Sequence, residues 1–166
     1  ISCSGFSLFI LNNIGRNDHG KNLEVNFMSN FRTVHVRWMG QYRTDINIRG
    51  VHHLEGDETP EYGGNDSGPM PTEFFLASVA SCLCLAVSHI GQKKKIDLNN
   101  IEVSASAEKD TEIFQFKEIH LQVKADLPAE KLQLLVMQAK KYCFVSNTII
   151  KGCPINITTE STFQSK

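Results

Sequence analysis

In the first third of the chain, apolar and polar residues alternate. Apolar side chains recur at every second position from Leu23 and again from Val34, and the pattern continues to Leu54. A period of two is typical of strands that bury one face. Glycines at Gly40 and Gly50 mark turns between these runs. The pattern predicts an antiparallel meander.

A long helix is predicted from Pro71 to about Gln92, after a loop at 57–71 that is rich in glycine and proline. Pro71 suits a first helical turn and Glu73 places negative charge there, while lysines 93–95 place positive charge at the far end. The apolar run is about 17 residues long and serines interrupt it, so a core helix is favoured over a membrane span. Because apolar side chains occur on all its sides, we expect a sheet or a second subunit to cover it.

The last third returns to alternation. Residues 101–107 and 119–125 predict two longer strands, and a second helix is expected to begin at Pro128 and to stop near Cys143. A final strand is predicted at 155–159. The order of three strands, a helix, two strands, a helix and a strand indicates an α+β fold.

Composition limits the class of protein. The chain has 166 residues, of which 41% are hydrophobic and 21% charged, and this fits one globular domain. Residues 1–21 carry many turn formers and are interpreted as an N-terminal extension to a domain at 22–166. The formal net charge is -1 and most basic residues are scattered, so neither nucleic acid nor a membrane is expected as a partner.

The cysteines are the first candidates for chemistry. Five are present, an odd number and too few for a disulfide scaffold, so a reducing compartment such as the cytoplasm is expected. Cys82 and Cys84 point about 200° apart on a helix and cannot share a disulfide or a metal. No CxxC pair occurs, and His52 and His53 point to opposite faces of a strand. No metal site and no cofactor are therefore predicted.

Four stretches of the chain carry a further signal. They are WMGQYR at 38–43, DETP at 57–60 with the glycine pair at 63–64, PMPTEFFLASVASC at 69–82, and YCFVSNTIIKG at 142–152. In this order they resemble the OsmC/Ohr family of thiol-dependent peroxide-reducing proteins. The likeness covers about residues 33–160.

The resemblance implies an OsmC-like fold, with antiparallel sheets packed on a long central helix in an intertwined homodimer. Two active sites would lie at the dimer interface. Cys82 would attack the O–O bond of a hydroperoxide as a thiolate and become a sulfenic acid. Cys143 would condense with it to a disulfide, and an external thiol or dithiol reductant would restore both cysteines.

The source of a Cys82 thiolate is a separate question. Cys82 lies about three turns into its helix, whereas the helix dipole acts mainly within the first turn, so another segment must supply a cation. Arg43 is the first candidate and Arg49 the second. Glu73 resembles the family's helix-start glutamate, which would hold the arginine. In the peroxidase branch, however, the glutamate directly follows the proline, and Thr72 occupies that place here.

Other features complete the hypothesis. Phe144 follows the second cysteine where the peroxidase branch tends to have proline, so the chain is assigned to the wider OsmC-like branch. His52 and His53 are candidate general acids for the departing alkoxide. Phe74, Phe75 and Phe144 are candidates to line an apolar hydroperoxide pocket. The alternative function is an OsmC-fold protein that binds a small apolar ligand at the dimer cleft without peroxidase activity.

Overall fold

The structure is a computed structural model of the chain, and it describes residues 32–162. The extension predicted at 1–21 and the strand predicted from Leu23 lie outside these residues. The remaining predicted elements can be compared with the structure directly.

The first sheet is the predicted meander. Strands β1 (Val34–Gly40), β2 (Arg43–Ile48) and β3 (His52–Gly56) pair antiparallel in the order β1-β2-β3. Gly40, at the first turn, has a φ of +103°, which favours glycine because it has no Cβ to clash. This sheet makes few contacts with the helices of its own chain.

The long helix, α1 (Pro71–Lys93), begins at the predicted proline and ends among the predicted lysines. Its most apolar window has a mean hydropathy of 1.9, so by length and composition alone it is long and apolar enough to cross a membrane. It packs against four other elements, however, as expected of a core helix. The residues buried in this chain form one stripe: Val79, Leu83, Ala86, Val87, Ile90 and Gly91.

A second sheet and two further helices cover that stripe. Strands β4 (Glu102–Asp110) and β5 (Gln115–Lys124) form an antiparallel hairpin, and β4 lies against α1. Helix α2 (Ala129–Ala139) leads through a 3-10 turn (Lys140–Tyr142) into α3 (Phe144–Ile150). The core cluster joins α1 to α2 and to the turn: Leu83, Ala86, Val87, Ile90, Leu135, Ala139 and Cys143.

The end of the chain differs from the prediction. Residues 155–159 form no strand, and α3 was not predicted at all. Ile155 and Ile157 are 87% and 86% exposed, and no strand among residues 32–162 pairs with them. A period-two pattern forms a strand only where a neighbouring strand supplies hydrogen bonds. Helix α3 is seven residues long, too short to show a helical period, and it forms by packing on α1.

The fold class itself is confirmed. The chain is an α+β protein with antiparallel sheets and a long central helix. The observed order among the described residues is three strands, a helix, two strands and two helices.

Candidate thiol site

Cys82 lies in the middle of α1. It is half-buried and packs against the core cluster that contains Cys143. Cys84, two residues later, also carries a free thiol. Because successive helical residues rotate by about 100°, the two thiols face different sides of α1.

Cys143 lies between the 3-10 turn and α3 and is fully buried. Its Sγ is 3.0 Å from Ser146 Oγ, close enough for a hydrogen bond in either direction. The Cys143 N–H donates to Lys140 O at 3.3 Å, and its carbonyl accepts from the Asn147 N–H at 3.0 Å. Sequence reasoning placed Cys143 in the site but gave no role to Ser146. The spacing of three residues at a helix start was the available signal, since a residue preceding a helix faces the third residue inside it.

Tyr142 holds the segment of Cys143 against α1. Its ring meets the His89 ring edge-on with centroids 6.4 Å apart, and Lys93 Nζ lies 5.7 Å from its ring centroid. His89 follows Cys82 by seven residues, which on a helix is a rotation of about 20° from the same direction. The side of α1 that carries Cys82 is therefore the side on which the turn before Cys143 docks.

Arg43 lies at the start of β2 and pairs with Glu55 on β3. Arg43 Nη2 donates to Glu55 Oε2 at 3.1 Å, while Arg43 Nε is buried and has no hydrogen-bond partner among residues 32–162. Glu55 was not among the predicted site residues. The hairpin spacing could have revealed it, because Asp45 is directly opposite Glu55 and Arg43 is on the same face as Asp45.

Glu73 caps the helix. Its Oε2 accepts a hydrogen bond from the Met70 N–H at 2.8 Å, and the Glu73 N–H donates to Met70 O at 2.9 Å. Its contacts are thus those of a helix-start glutamate, while the partner of Arg43 is Glu55. Thr72 is half-buried in the first turn, and Arg49 lies exposed in the turn before β3 with a φ of +59°.

Asp57 organises the loop that precedes α1. It is only 1% exposed, and its carboxylate accepts hydrogen bonds from the backbone N–H groups of Glu58, Asn65 and Ser67 at 2.9, 3.1 and 3.1 Å. The Ser67 hydroxyl donates a fourth at 2.8 Å. Burial alone raises the pKa of this carboxyl, but the hydrogen bonds from Ser67, Glu58 and Asn65 outweigh burial and lower the pKa to about 2.

The loop built on Asp57 also contacts the turn before Arg43. Asn65 Nδ2 donates to Gln41 Oε1 at 3.0 Å. The Trp38 indole N–H donates to Gln41 O at 2.8 Å. Hydrogen bonds thus connect the Asp57 loop, β1 and the turn at Gln41, and this turn leads directly into β2, which begins at Arg43.

The remaining candidates do not gather at the cysteines. His53 Nδ1 is 3.8 Å from Asp45 Oδ1, on a polar sheet face where a shallow groove of about 520 Å³ runs past His35 and Asn47. No group of three or more His, Cys, Asp or Glu side chains within residues 32–162 is placed to hold a metal ion.

The aromatic candidates are spread over the molecule. Phe75 stacks on Phe116 with centroids 6.0 Å apart, and the Phe74 ring lies beside Gly56. Phe144 is 79% exposed at the start of α3. These three rings do not form a single pocket within one chain.

The sequence places this architecture in a known family. A model of the OsmC-like protein family matches residues 63–158, which include α1, both predicted cysteines and α3. The chain belongs to the OsmC-like family. This agrees with the resemblance seen in the four sequence stretches.

Relatives of this OsmC-like chain are distant. An uncharacterised protein of Methanocaldococcus jannaschii is 28% identical over 134 residues, which are 78% of this chain and 68% of that protein. The organic hydroperoxide resistance protein OhrB of Bacillus subtilis is 26% identical, with a TM-score of 0.52 over 71% of this chain and 90% of OhrB. An organic hydroperoxide resistance protein OsmC of Legionella pneumophila shares the fold, with 22% identity and a TM-score of 0.56 over 72% and 88% of the two chains.

Replacing Asp57 with Asn tests the role of the loop carboxylate. The folded pKa of about 2 is below the ordinary value of 3.8, so the ionised carboxylate stabilises the fold above about pH 4, and this contribution is lost as the pH falls towards 2. We expect Asp57→Asn to lower the urea midpoint of unfolding at pH 7, and the difference from wild type to shrink as the pH falls below 4.

Asp66→Asn is the matched control, because Asp66 is an exposed acid of the same loop. Its urea midpoint should stay close to that of wild type. Equal midpoints for the two variants at pH 7 would show that the Asp57 carboxylate does not organise the loop.

Proposed function

We propose that this OsmC-like protein is a thiol peroxidase that reduces organic hydroperoxides or hydrogen peroxide through Cys82 and Cys143. The observation that carries the proposal is that both cysteines lie at the same core cluster: Cys143 belongs to it and Cys82 packs against it. The turn that precedes Cys143 also packs on α1, on the side that bears Cys82. Support also comes from the two hydroperoxide resistance proteins of the same fold.

The proposed reaction begins at Cys82, which is the less buried of the two thiols. Its thiolate attacks one peroxide oxygen, the O–O bond breaks, and the other oxygen takes up a proton and leaves as an alcohol or water. Cys82 becomes a sulfenic acid. The Cys143 sulfur then attacks the Cys82 sulfur, which releases water and leaves a disulfide.

Ser146 has a role in the second step of this proposal. A hydroxyl 3.0 Å from Cys143 Sγ can donate a hydrogen bond to the sulfur as it loses its proton. This contact also fixes the direction of the Cys143 side chain at the start of α3. Ser146 is therefore proposed as a positioning residue for the resolving thiol.

We propose that Arg43 supplies the activating cation from a second copy of the chain. The β1–β3 sheet that carries Arg43 has few contacts with the helices of its own chain. One face of this sheet exposes apolar residues, with Val36 60% and Trp38 71% exposed. Apolar faces of this kind are usually buried in an interface. A swapped arrangement would cover this face. Arg43 begins β2 on the opposite face, beside the turn at Gln41, and would reach the partner's thiol around that end of the sheet.

Helix α1 supports the same dimer. Leu85, on the side opposite the buried stripe, is 68% exposed. Ile155 and Ile157, which pair with no strand in the described part of the chain, provide a further apolar edge that a second copy can cover. An intertwined homodimer with two interfacial sites, in a reducing compartment such as the cytoplasm, is the assembly we propose.

Turnover of cysteine variants tests the peroxidase. We expect wild type to oxidise dithiothreitol when cumene hydroperoxide is present, and Cys82→Ser to lose this activity by at least about a hundredfold, because the nucleophile is gone. Cys143→Ser should turn over more slowly, because dithiothreitol must then reduce the Cys82 sulfenic acid directly. Without dithiothreitol it should consume about one peroxide per chain in a single burst. Consumption is measured as peroxide remaining with time.

Cys84→Ser is the matched control, since Cys84 lies on the same helix but on a different side, and it should keep wild-type activity. Full activity of Cys82→Ser would exclude the mechanism. Absence of turnover in wild type would favour the alternative of an OsmC-fold protein that binds a small apolar ligand.

Sedimentation equilibrium tests the dimer. We expect wild type to have twice the mass of one chain, and Val36→Glu to shift towards the monomer because a charge on the apolar sheet face opposes burial. His35→Glu is the control, since neighbouring strand residues point to opposite faces. A monomeric wild type, or equal dimerisation by both variants, would contradict the proposed interface.

A further inference from the structure

Five exposed lysines border the segment that carries Cys143. The lysine surface is defined as Lys93, Lys94, Lys95, Lys140 and Lys141, of which three lie at the end of α1 and two in the 3-10 turn. They are five of the 17 basic residues of a chain whose formal net charge is -1. Positive charge is therefore concentrated at this place.

Contacts join the two halves of the lysine surface to the site. Lys93 Nζ lies 5.7 Å from the ring centroid of Tyr142, which immediately precedes Cys143. Lys140 O accepts the Cys143 N–H at 3.3 Å, and Lys141 O accepts a hydrogen bond from Asn147 Nδ2 at 3.1 Å. The lysine surface and the thiol segment are thus parts of one local structure.

Little acidic charge balances the lysine surface. None of its five lysines forms an ion pair with a carboxylate in the part of the chain that the structure describes. Lys117, by contrast, pairs with Glu108 at 2.6 Å. The stretches of chain that carry the five lysines, residues 82–99 and 136–153, contain one acidic residue, Asp97. An uncompensated group of this kind raises the local concentration of anions.

The helix dipole explains only part of this arrangement. Lysines at the end of α1 are stabilised by the partial negative charge of the last carbonyls. Lys140 and Lys141 are not at the end of α1, yet they extend the same positive region towards Cys143. The location beside a redox thiol favours a small reducing partner over nucleic acid, which binds through larger basic surfaces on proteins with net positive charge.

We propose that the lysine surface attracts a negatively charged dithiol, which serves as the reductant of the Cys82–Cys143 disulfide. The inference rests on the proposed peroxidase function. It adds the chemical class of the second substrate: a dithiol that carries carboxylate groups near its sulfurs.

The reduction balances in two exchanges. One thiolate of the dithiol attacks the Cys82 sulfur, the Cys82–Cys143 bond breaks, and Cys143 leaves as a thiolate. The second thiolate then attacks the dithiol sulfur bound to Cys82, which releases Cys82 and closes a cyclic disulfide in the reductant. Two electrons pass to the protein, and the two protons of the dithiol go to the cysteines. Bonded sulfurs are about 2 Å apart, so a surface beside Cys143 is also beside the sulfur of Cys82 in the disulfide.

Two dithiols of different charge test the proposal. 2,5-Dimercaptoadipate carries two carboxylates beside its sulfurs, dithiothreitol is neutral, and both can close an unstrained cyclic disulfide. The readout is the kcat/KM of the anionic dithiol divided by that of dithiothreitol in peroxide-dependent oxidation. An effect of a substitution on the reaction with peroxide is the same for both dithiols and therefore cancels in this ratio. We expect the ratio to fall about tenfold from wild type to Lys94→Glu/Lys141→Glu, to fall less in Lys94→Gln/Lys141→Gln, and to decrease with added salt.

Lys109→Glu/Lys117→Glu is the control, with the same change in net charge. These lysines lie on the β4–β5 hairpin, where Phe116 stacks on Phe75 near the opposite end of α1. This control should keep the wild-type ratio. Equal ratios in all four proteins, or binding of a single-stranded RNA at the surface without any preference for the anionic dithiol, would overturn the proposal while leaving the peroxidase in place. Failure of both dithiols to support turnover would overturn the peroxidase and the reductant together.

Discussion

The rest of the structure depends on the burial of α1. A helix with apolar side chains on every side is stable in water only when other elements cover it. The chain covers one stripe of α1 with β4, α2 and the turn that bears Cys143. The side that carries Leu85 stays open within one chain, so the burial of this helix links the fold of one chain to its proposed dimer.

The same constraint places the thiols. Cys82 lies at the edge of the buried stripe of α1. Cys143 is fully buried and packs in the same core cluster as the residues of that stripe. A 3-10 turn and a short helix hold Cys143 there, and Tyr142 anchors the turn through His89 and Lys93. The resolving thiol of the proposed reaction is therefore also a core residue, and its position depends on packing as much as on chemistry.

The entry to α1 is controlled by a second constraint, which is the satisfaction of buried polar groups. The Asp57 carboxylate is buried with four hydrogen-bond donors around it, and its loop contacts the turn that leads to Arg43. Glu73 satisfies the backbone at the first turn of α1. These local contacts divide the roles of the acids: Asp57 shapes the loop, Glu73 caps the helix and Glu55 holds Arg43.

The meander could be predicted from the sequence, because apolar residues alternate with polar residues from Val34 to Leu54. Helix α1 could be predicted because a long apolar run lies between Pro71 and the lysines at 93–95. Helix α3 could not, since its seven residues are too few to show a helical period and the helix is stabilised by packing on α1 and on the 3-10 turn. The strand predicted at 155–159 was wrong because Ile155 and Ile157 have no neighbouring strand among the described residues. The pairing of Arg43 with Glu55 depends on hairpin register, which local sequence spacing fixes only once both strands are placed.

The most direct test of the central claim is to map the disulfide formed by peroxide. The reduced protein is treated with one equivalent of cumene hydroperoxide, free thiols are blocked, and the digest is analysed by mass spectrometry. The account predicts a cross-linked peptide pair that joins Cys82 to Cys143, with Cys84 blocked as a free thiol. Oxidation confined to Cys84 or Cys153, with Cys82 and Cys143 both recovered as free thiols, would contradict it.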